Sequence, residues 1–185
     1  MIIVISAPSG AGKTTLVKAF LEACPEVCVN VSHTTRLPRH GEQDGVDYHF
    51  VSEDVFKAKQ KNGDFLESEW VFDRWYGSDR DAVKQLSEQQ DVILEIDWQG
   101  ARKVRQQLSS VWSLFILPPD VATLEKRLYQ RGDDPALIAK RMQQAEDDMT
   151  YASEYDCVLI NDDLEPTLAS FIELYRAKKA EMYPK

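Results

Sequence analysis

Residues whose types and spacing suit phosphate chemistry stand at the very start of this 185-residue chain. An apolar stretch, Ile2 to Ile5, runs directly into Ser6, Ala7, Pro8, Ser9, Gly10, Ala11, Gly12, Lys13, Thr14 and Thr15. Gly10 and Gly12 keep the backbone bare, so that its N–H groups can turn inward onto phosphate oxygens, and the start of the next helix adds a favourable dipole. Lys13 brings a compact positive charge to the β- and γ-phosphates of a nucleoside triphosphate, and Thr14 offers a hydroxyl to Mg²⁺. The usual pattern of such a loop opens on glycine, where this chain has Ala7; alanine is acceptable there if its φ stays negative.

A second group lies at Val31 to Arg39, where Arg36 and Arg39 sit three apart beside Pro38 and small hydroxyl residues. Guanidinium groups grip phosphate oxygens in a planar, bidentate way, so the pair reads either as an anion clamp or as ordinary loop charge. A third group is Arg127 and Arg131, four apart on one helix face, with Arg141 on the following helix; these read as solvated surface or as part of a closing lid. Asn161 and Asp162 follow the last apolar run, bordering a ligand or capping a helix. His33, His40 and His49 are not spaced as metal ligands.

Positioning these groups requires an alternation of strands and helices. The spacing predicts strands at Ile2 to Ile5, Val27 to Val31, Tyr48 to Val51, Phe65 to Val71, Val92 to Ile96, Trp112 to Leu117 and Val158 to Ile160. Helices are predicted after the phosphate loop, from Ser52 to about Asn62, at Arg80 to Gln89 and at Gln99 to Leu108. Three more follow, from Val121 to about Arg131, on to about Tyr151 after a turn at Gly132 to Pro135, and at Leu164 to Met182. Trp75 to Ser78 reads as a turn. The order implies an α/β fold with a central parallel sheet covered by helices on both faces, with ligands collecting at the carboxyl ends of its strands.

Composition sets the outer limits. A chain with 43% hydrophobic residues can build one real core. The net charge of −9 argues against a broad nucleic-acid surface, so any anionic ligand must be held by a few local cations. No apolar run is long enough to span a bilayer, and the expectation is a soluble cytoplasmic protein without a signal peptide. Cys24, Cys28 and Cys157 lack a second metal-ligand pair and are expected to be reduced thiols.

Taken together, several motifs in order carry a resemblance over essentially the whole chain. They are Ser6 to Thr14, Val31 to Arg39, Gly45 to Val51, Phe65-Leu66-Glu67, Tyr76-Gly77-Ser78, Asp97 to Gly100 and Asn161 to Leu164. The sequence resembles the guanylate kinases, nucleoside monophosphate kinases of the phosphate-loop superfamily. That resemblance implies transfer of the γ-phosphoryl group of MgATP to GMP, and to dGMP, with Mg²⁺ as the ion and no nucleic-acid or membrane partner. It implies one domain, with a core of residues 1–32, 80–120 and 152–185, a small mixed GMP-binding segment at 33–79 and a helical lid at 121–151.

By the same resemblance, residues 7–15 and Asn161 hold ATP, while Arg36, Arg39, Tyr48 and Tyr76 hold the phosphate of GMP. Ser32, Glu67 and Ser78 face guanine, with Asp97 close by; a carboxylate is an apt acceptor for the N1–H and exocyclic amine of that base. Lys13, Arg36, Arg127, Arg131 and Arg141 would act on the transferring phosphoryl group. Two positions depart from the family pattern: Glu95 stands where an aspartate is common, and Trp75 precedes Tyr76 where a second tyrosine is common. Other readings of the same residues are a related kinase with a different phosphate acceptor, a binding module without catalysis and a nucleotide-hydrolysing switch.

Overall fold

The structure, a computed structural model, describes residues 1–130 and 135–184. The expected helix end at Arg131 and the turn residues Gly132, Asp133 and Asp134 lie outside the described residues. Five strands, β1 (Ile2–Ser6), β2 (Val27–Val29), β7 (Asp91–Glu95), β8 (Val111–Leu117) and β9 (Cys157–Ile160), form a parallel sheet in the order β2-β7-β1-β8-β9. The strand that feeds the phosphate loop therefore sits at the centre, hydrogen-bonded to β7 on one side and β8 on the other. Its near-continuous apolar character follows from burial on both faces.

Alternation along β1 divides the core. Ile3 and Ile5 face one side, where Leu16, Val17 and Phe20 of α1 (Lys13–Ala23) meet Phe171 and Tyr175 of α7 (Leu164–Met182). Val4 faces the other, with Leu94, Phe115 and Tyr155, and with Ala101 and Val104 of α4 (Trp98–Gln107). Phe20 and Phe171 stack with ring centroids 3.9 Å apart, and Tyr175 meets Phe20 edge-on. Two further helices, α5 (Val121–Gln130) and α6 (Pro135–Thr150), pack on each other, and a short 3-10 turn at Tyr151–Glu154 leads back into the sheet. No helix among the described residues is long and apolar enough to cross a membrane.

A second, four-stranded sheet differs from the sequence expectation. Its order is β4-β3-β6-β5, built from β3 (His33–Thr34), β4 (His49–Phe50), β5 (Phe65–Val71) and β6 (Arg74–Asp79). Trp75 to Ser78, expected as a turn, is strand, antiparallel to both β5 and β3. Glycine at position 77 is explained by packing: a Cβ there would come within 3.0 Å of Phe56 and 3.1 Å of the Glu67 carbonyl. The strand expected from Val27 to Val31 splits, ending at Val29 and resuming in the other sheet as β3; β4 is also shorter than expected.

The helix signals were local and the helices begin where they point. Ser52 caps α2 (Glu53–Asn62) by accepting from the Val55 N–H, with Glu53 and Asp54 in its first turn and Gly63 closing it at φ 78°. Asp79 caps α3 (Arg80–Ser87) in the same way, accepting from Asp81 and Ala82. Removing the stacked ring on the α1–α7 side with Phe171→Ala should cost about 3–5 kcal/mol of unfolding free energy, read by chemical denaturation; a cost below about 1 kcal/mol would show that this interface does not hold α7 to the sheet.

Candidate active site

The phosphate loop leaves the carboxyl end of β1 and turns twice through glycines with positive φ, Gly10 at 94° and Gly12 at 87°. Among the described non-glycine residues only Phe72 and Asp73 have positive φ, so Ala7 keeps the negative φ its side chain requires. A Cβ on Gly12 would approach the side-chain nitrogen of Asn161 to 2.4 Å. That closeness reveals what Asn161 does in the fold: buried after β9, it donates through Nδ2 to the Ala11 carbonyl at 2.7 Å and so braces the loop from outside. Arg127 of α5 reaches the same place, donating to the Asn161 carbonyl at 2.9 Å and the Asp162 carbonyl at 2.8 Å. Lys13 Nζ lies 3.6 Å from a carboxylate oxygen of Glu95, at the end of β7.

Across from the loop, the second sheet presents the other set. Arg36 is held by a residue that carried no sequence signal: its Nη1 and Nη2 donate to the two oxygens of Glu42 at 2.7 and 2.8 Å, and Nη1 also donates to the Leu37 carbonyl. Glu42 accepts a further bond from the Arg39 backbone N–H at 2.7 Å, so one carboxylate ties the 36–42 loop together. Its pKa is lowered by these donors, against the opposing effect of its burial. The Arg36 guanidinium also lies 5.1 Å from the centroid of the Tyr48 ring, and Tyr48 meets Tyr76 edge-on. Burial raises the Tyr48 phenol to about 12, which keeps it a neutral donor.

Glu67 is the most unusual group in the site. It is 5% exposed, and burial pushes its carboxyl up to about 7. The charges of Asp97 and Glu69 push the same way, while hydrogen bonding from Ser78 opposes them. Gly100 makes room for it, since a Cβ there would come 2.7 Å from Glu67 Oε2. Ser78 is fully buried and sits behind Glu67 in register on β6, with its hydroxyl 3.4 Å from that of Ser32. Asp97, also raised by burial, is the N-cap of α4, accepting from the Gly100 N–H at 2.8 Å.

Glu69 follows Glu67 by two on the same strand and lines the same space, ion-paired to Lys103 of α4 at 2.5 Å. The period-2 alternation of β5 is the signal that could have found it, because residues two apart share a face.

These elements enclose one cleft of 1250 Å³ that runs from the phosphate loop to Glu67. Pro8, Ser9, Gly10, Gly12, Lys13, Thr14, Thr15 and Asn161 line one end; Ser32, Arg36, Arg39, Tyr48, Glu67, Tyr76 and Asp97 line the other, and Arg127 and Arg141 reach it from α5 and α6. Three expected site residues stand behind this lining: Ala7 against the core, Ala11 fully buried and Ser78 behind Glu67. Arg131 lies outside the described residues. The arrangement suits two anionic ligands brought end to end, with cations between them and a buried carboxylate awaiting hydrogen-bond donors.

The chain as a whole is similar to proteins of one known family. The family model described as guanylate kinase matches residues 1–178. A guanylate kinase of Alkalilimnicola ehrlichii is 52% identical over 178 residues, covering 95% of this chain and 88% of the relative. One from Chromohalobacter salexigens is 50% identical over 181 residues, covering 97% and 84%. The crystal structure of guanylate kinase from Anaplasma phagocytophilum superimposes with a TM-score of 0.79 at 31% identity, over 96% of this chain and 85% of that one. A phosphate loop facing an arginine- and carboxylate-lined acceptor end, on a chain that matches this family almost from end to end, leads to one conclusion: the chain belongs to the guanylate kinase family.

Proposed function

We propose that the protein transfers the γ-phosphoryl group of MgATP to GMP, and to dGMP, yielding ADP and the diphosphate. The observation that carries this reading is the single cleft with a phosphate loop at one end and the buried Glu67 carboxylate at the other. Phosphoryl transfer leaves a protein little covalent work, so its task is alignment and the neutralisation of spreading negative charge. The acceptor phosphate is already an anion at neutral pH and needs no strong base; it must be brought in line against repulsion from the donor.

Each side chain has a share of that task. The loop of residues 7–15 wraps the donor phosphates with its free backbone N–H groups, Pro8 having none, and Lys13 neutralises the β- and γ-oxygens. Arg36, Arg39, Tyr48 and Tyr76 hold the acceptor phosphate, with Arg36 oriented in advance by Glu42. Glu67, set by Ser78 and near Ser32, accepts from the N1–H and amine edge of guanine. Arg127 and Arg141, with Arg131, close from the lid side and exclude water from the reacting phosphates. Thr14 and Glu95 offer hard oxygen donors beside Lys13 at the loop end of the cleft, which suits Mg²⁺: the hydroxyl of Thr14 would ligate it and Glu95 would accept from its waters. When bound, that ion draws charge from the phosphate oxygens. The proposed compartment is the cytoplasm, where ATP and free nucleoside monophosphates occur together.

A coupled assay against GMP, dGMP, AMP and a sugar phosphate tests the reading. Turnover should be confined to the two guanine nucleotides, and turnover of the sugar phosphate alone would contradict it. Lys13→Ala should lower kcat about 100-fold or more, because charge on the donor phosphates goes uncompensated. The pH dependence follows from Glu67. Only its ionised form can accept both N–H donors of guanine, and its pKa is about 7, so KM for GMP should rise as pH falls below about 7. In Glu67→Gln that part of the rise should vanish. The same shift has a stability consequence: between the ordinary carboxylate pKa and about 7 the folded state binds more protons than the unfolded, so this group's contribution to stability in the free protein falls as pH rises through that window.

A further inference from the structure

The tip of the β5–β6 hairpin is built against local preference. Phe72 and Asp73 form its two-residue turn with φ of 48° and 60°, a conformation that such turns ordinarily give to glycine or asparagine. An aromatic residue with positive φ is a strained outlier, retained where its surroundings over-determine it. Core packing does not account for it, since Phe72 is half-buried and belongs to neither apolar cluster.

What the tip meets is the helix opposite. The guanidinium carbon of Arg141, on α6, lies 5.6 Å from the centroid of the Phe72 ring. On the preceding residue of that helix, Lys140 Nζ pairs with Asp73 at 3.2 Å. Phe72, Asp73 and Arg141 all line the cleft. The strands behind the tip are the ones that carry Glu67, Tyr76 and Ser78, so hairpin and lid helix meet at a turn rooted in the acceptor end. A ring face is a suitable partner for such an arginine, because it attracts the flat of the guanidinium and leaves the in-plane N–H edges to oxygen ligands.

We propose that Phe72 is a positioning residue for phosphoryl transfer, its ring holding the Arg141 guanidinium over the cleft so that the acceptor hairpin and the lid helix move as one. This rests on the reading of Arg141 as a group that approaches the transferring phosphoryl. The strained turn is then the cost of placing a ring where only a hairpin tip can reach the lid.

Phe72→Asn, Phe72→Tyr, Arg141→Ala and the double variant Phe72→Asn/Arg141→Ala separate the possibilities. Asparagine suits the turn and removes the ring, so the thermal midpoint of Phe72→Asn should hold or rise while kcat falls about tenfold, a loss in the range of one cation–ring contact, and both KM values stay within about twofold. Phe72→Tyr keeps the ring and should keep kcat. In the Arg141→Ala background, Phe72→Asn should cause no further loss. If Arg141→Ala turns over at the parental rate, the reading of the lid arginine fails and this inference with it. If Arg141→Ala is slow but Phe72→Asn is not, or if the two losses multiply, the inference alone is overturned. A fall in kcat that merely tracks a fall in thermal midpoint would also overturn it, as the mark of a purely structural turn.

Discussion

Charge is the constraint on which the rest of this structure depends. Two phosphate-bearing ligands repel each other, and a protein with a net charge of −9 repels both. The cations that overcome this must be local, and in this fold they are held before any ligand arrives. Glu42 fixes the end of the Arg36 guanidinium, Glu95 stands beside Lys13, and the carbonyls of Asn161 and Asp162 receive Arg127. A cation oriented by its own partner needs little rearrangement when a phosphate approaches, which is the condition for electrostatic preorganisation.

The two sheets divide this work. The central parallel sheet delivers the phosphate loop from β1, its middle strand, and braces the loop with Asn161 from the end of β9. The smaller sheet carries the groups proposed to hold the acceptor, on β5 and β6 and in the loop between β3 and β4. Glu67 lies where they meet, close to Gly100 at the start of α4. Burying a carboxylate there raises its pKa, so in the free site Glu67 keeps its proton to a higher pH than a carboxyl in water does. In the proposed reading, guanine would relieve that state by supplying two N–H donors, whereas adenine does not present the same pair. Specificity in this account comes from leaving a buried acceptor unsatisfied by the wrong base.

Much of this was legible in the residues themselves, for physical reasons. The phosphate loop is a local motif and the Ser52 cap acts within one helical turn, so both can be read in short windows; the Asp79 cap, equally local, was not singled out. Strand β6 was misread because Gly77-Ser78 is a turn-forming pair that masks the strand preference of Trp75 and Tyr76, and the strand is fixed by pairing with β5 and β3. The two-residue β3 has the same origin, its strand character resting on neighbours distant in sequence. Glu42 lies in an aperiodic loop, where nothing in the spacing announces its bond to Arg36. Glu69 was within reach of the period-2 alternation of β5, two residues on from the Glu67 that the family motif marked. Asp97 and Asn161 were singled out as ligand groups; the fold also gives each a framework bond, as helix cap and loop brace.

If Glu67 reads guanine as a carboxylate, it must give up a proton when GMP binds. Calorimetric titration of GMP near pH 6.5, in buffers of differing ionisation enthalpy, measures the protons released on binding. The protein should release more protons than Glu67→Gln does, and the excess should fade above about pH 8 as Glu67 becomes ionised in the free state. Equal proton release by the two proteins at pH 6.5, with comparable GMP affinity, would contradict that reading.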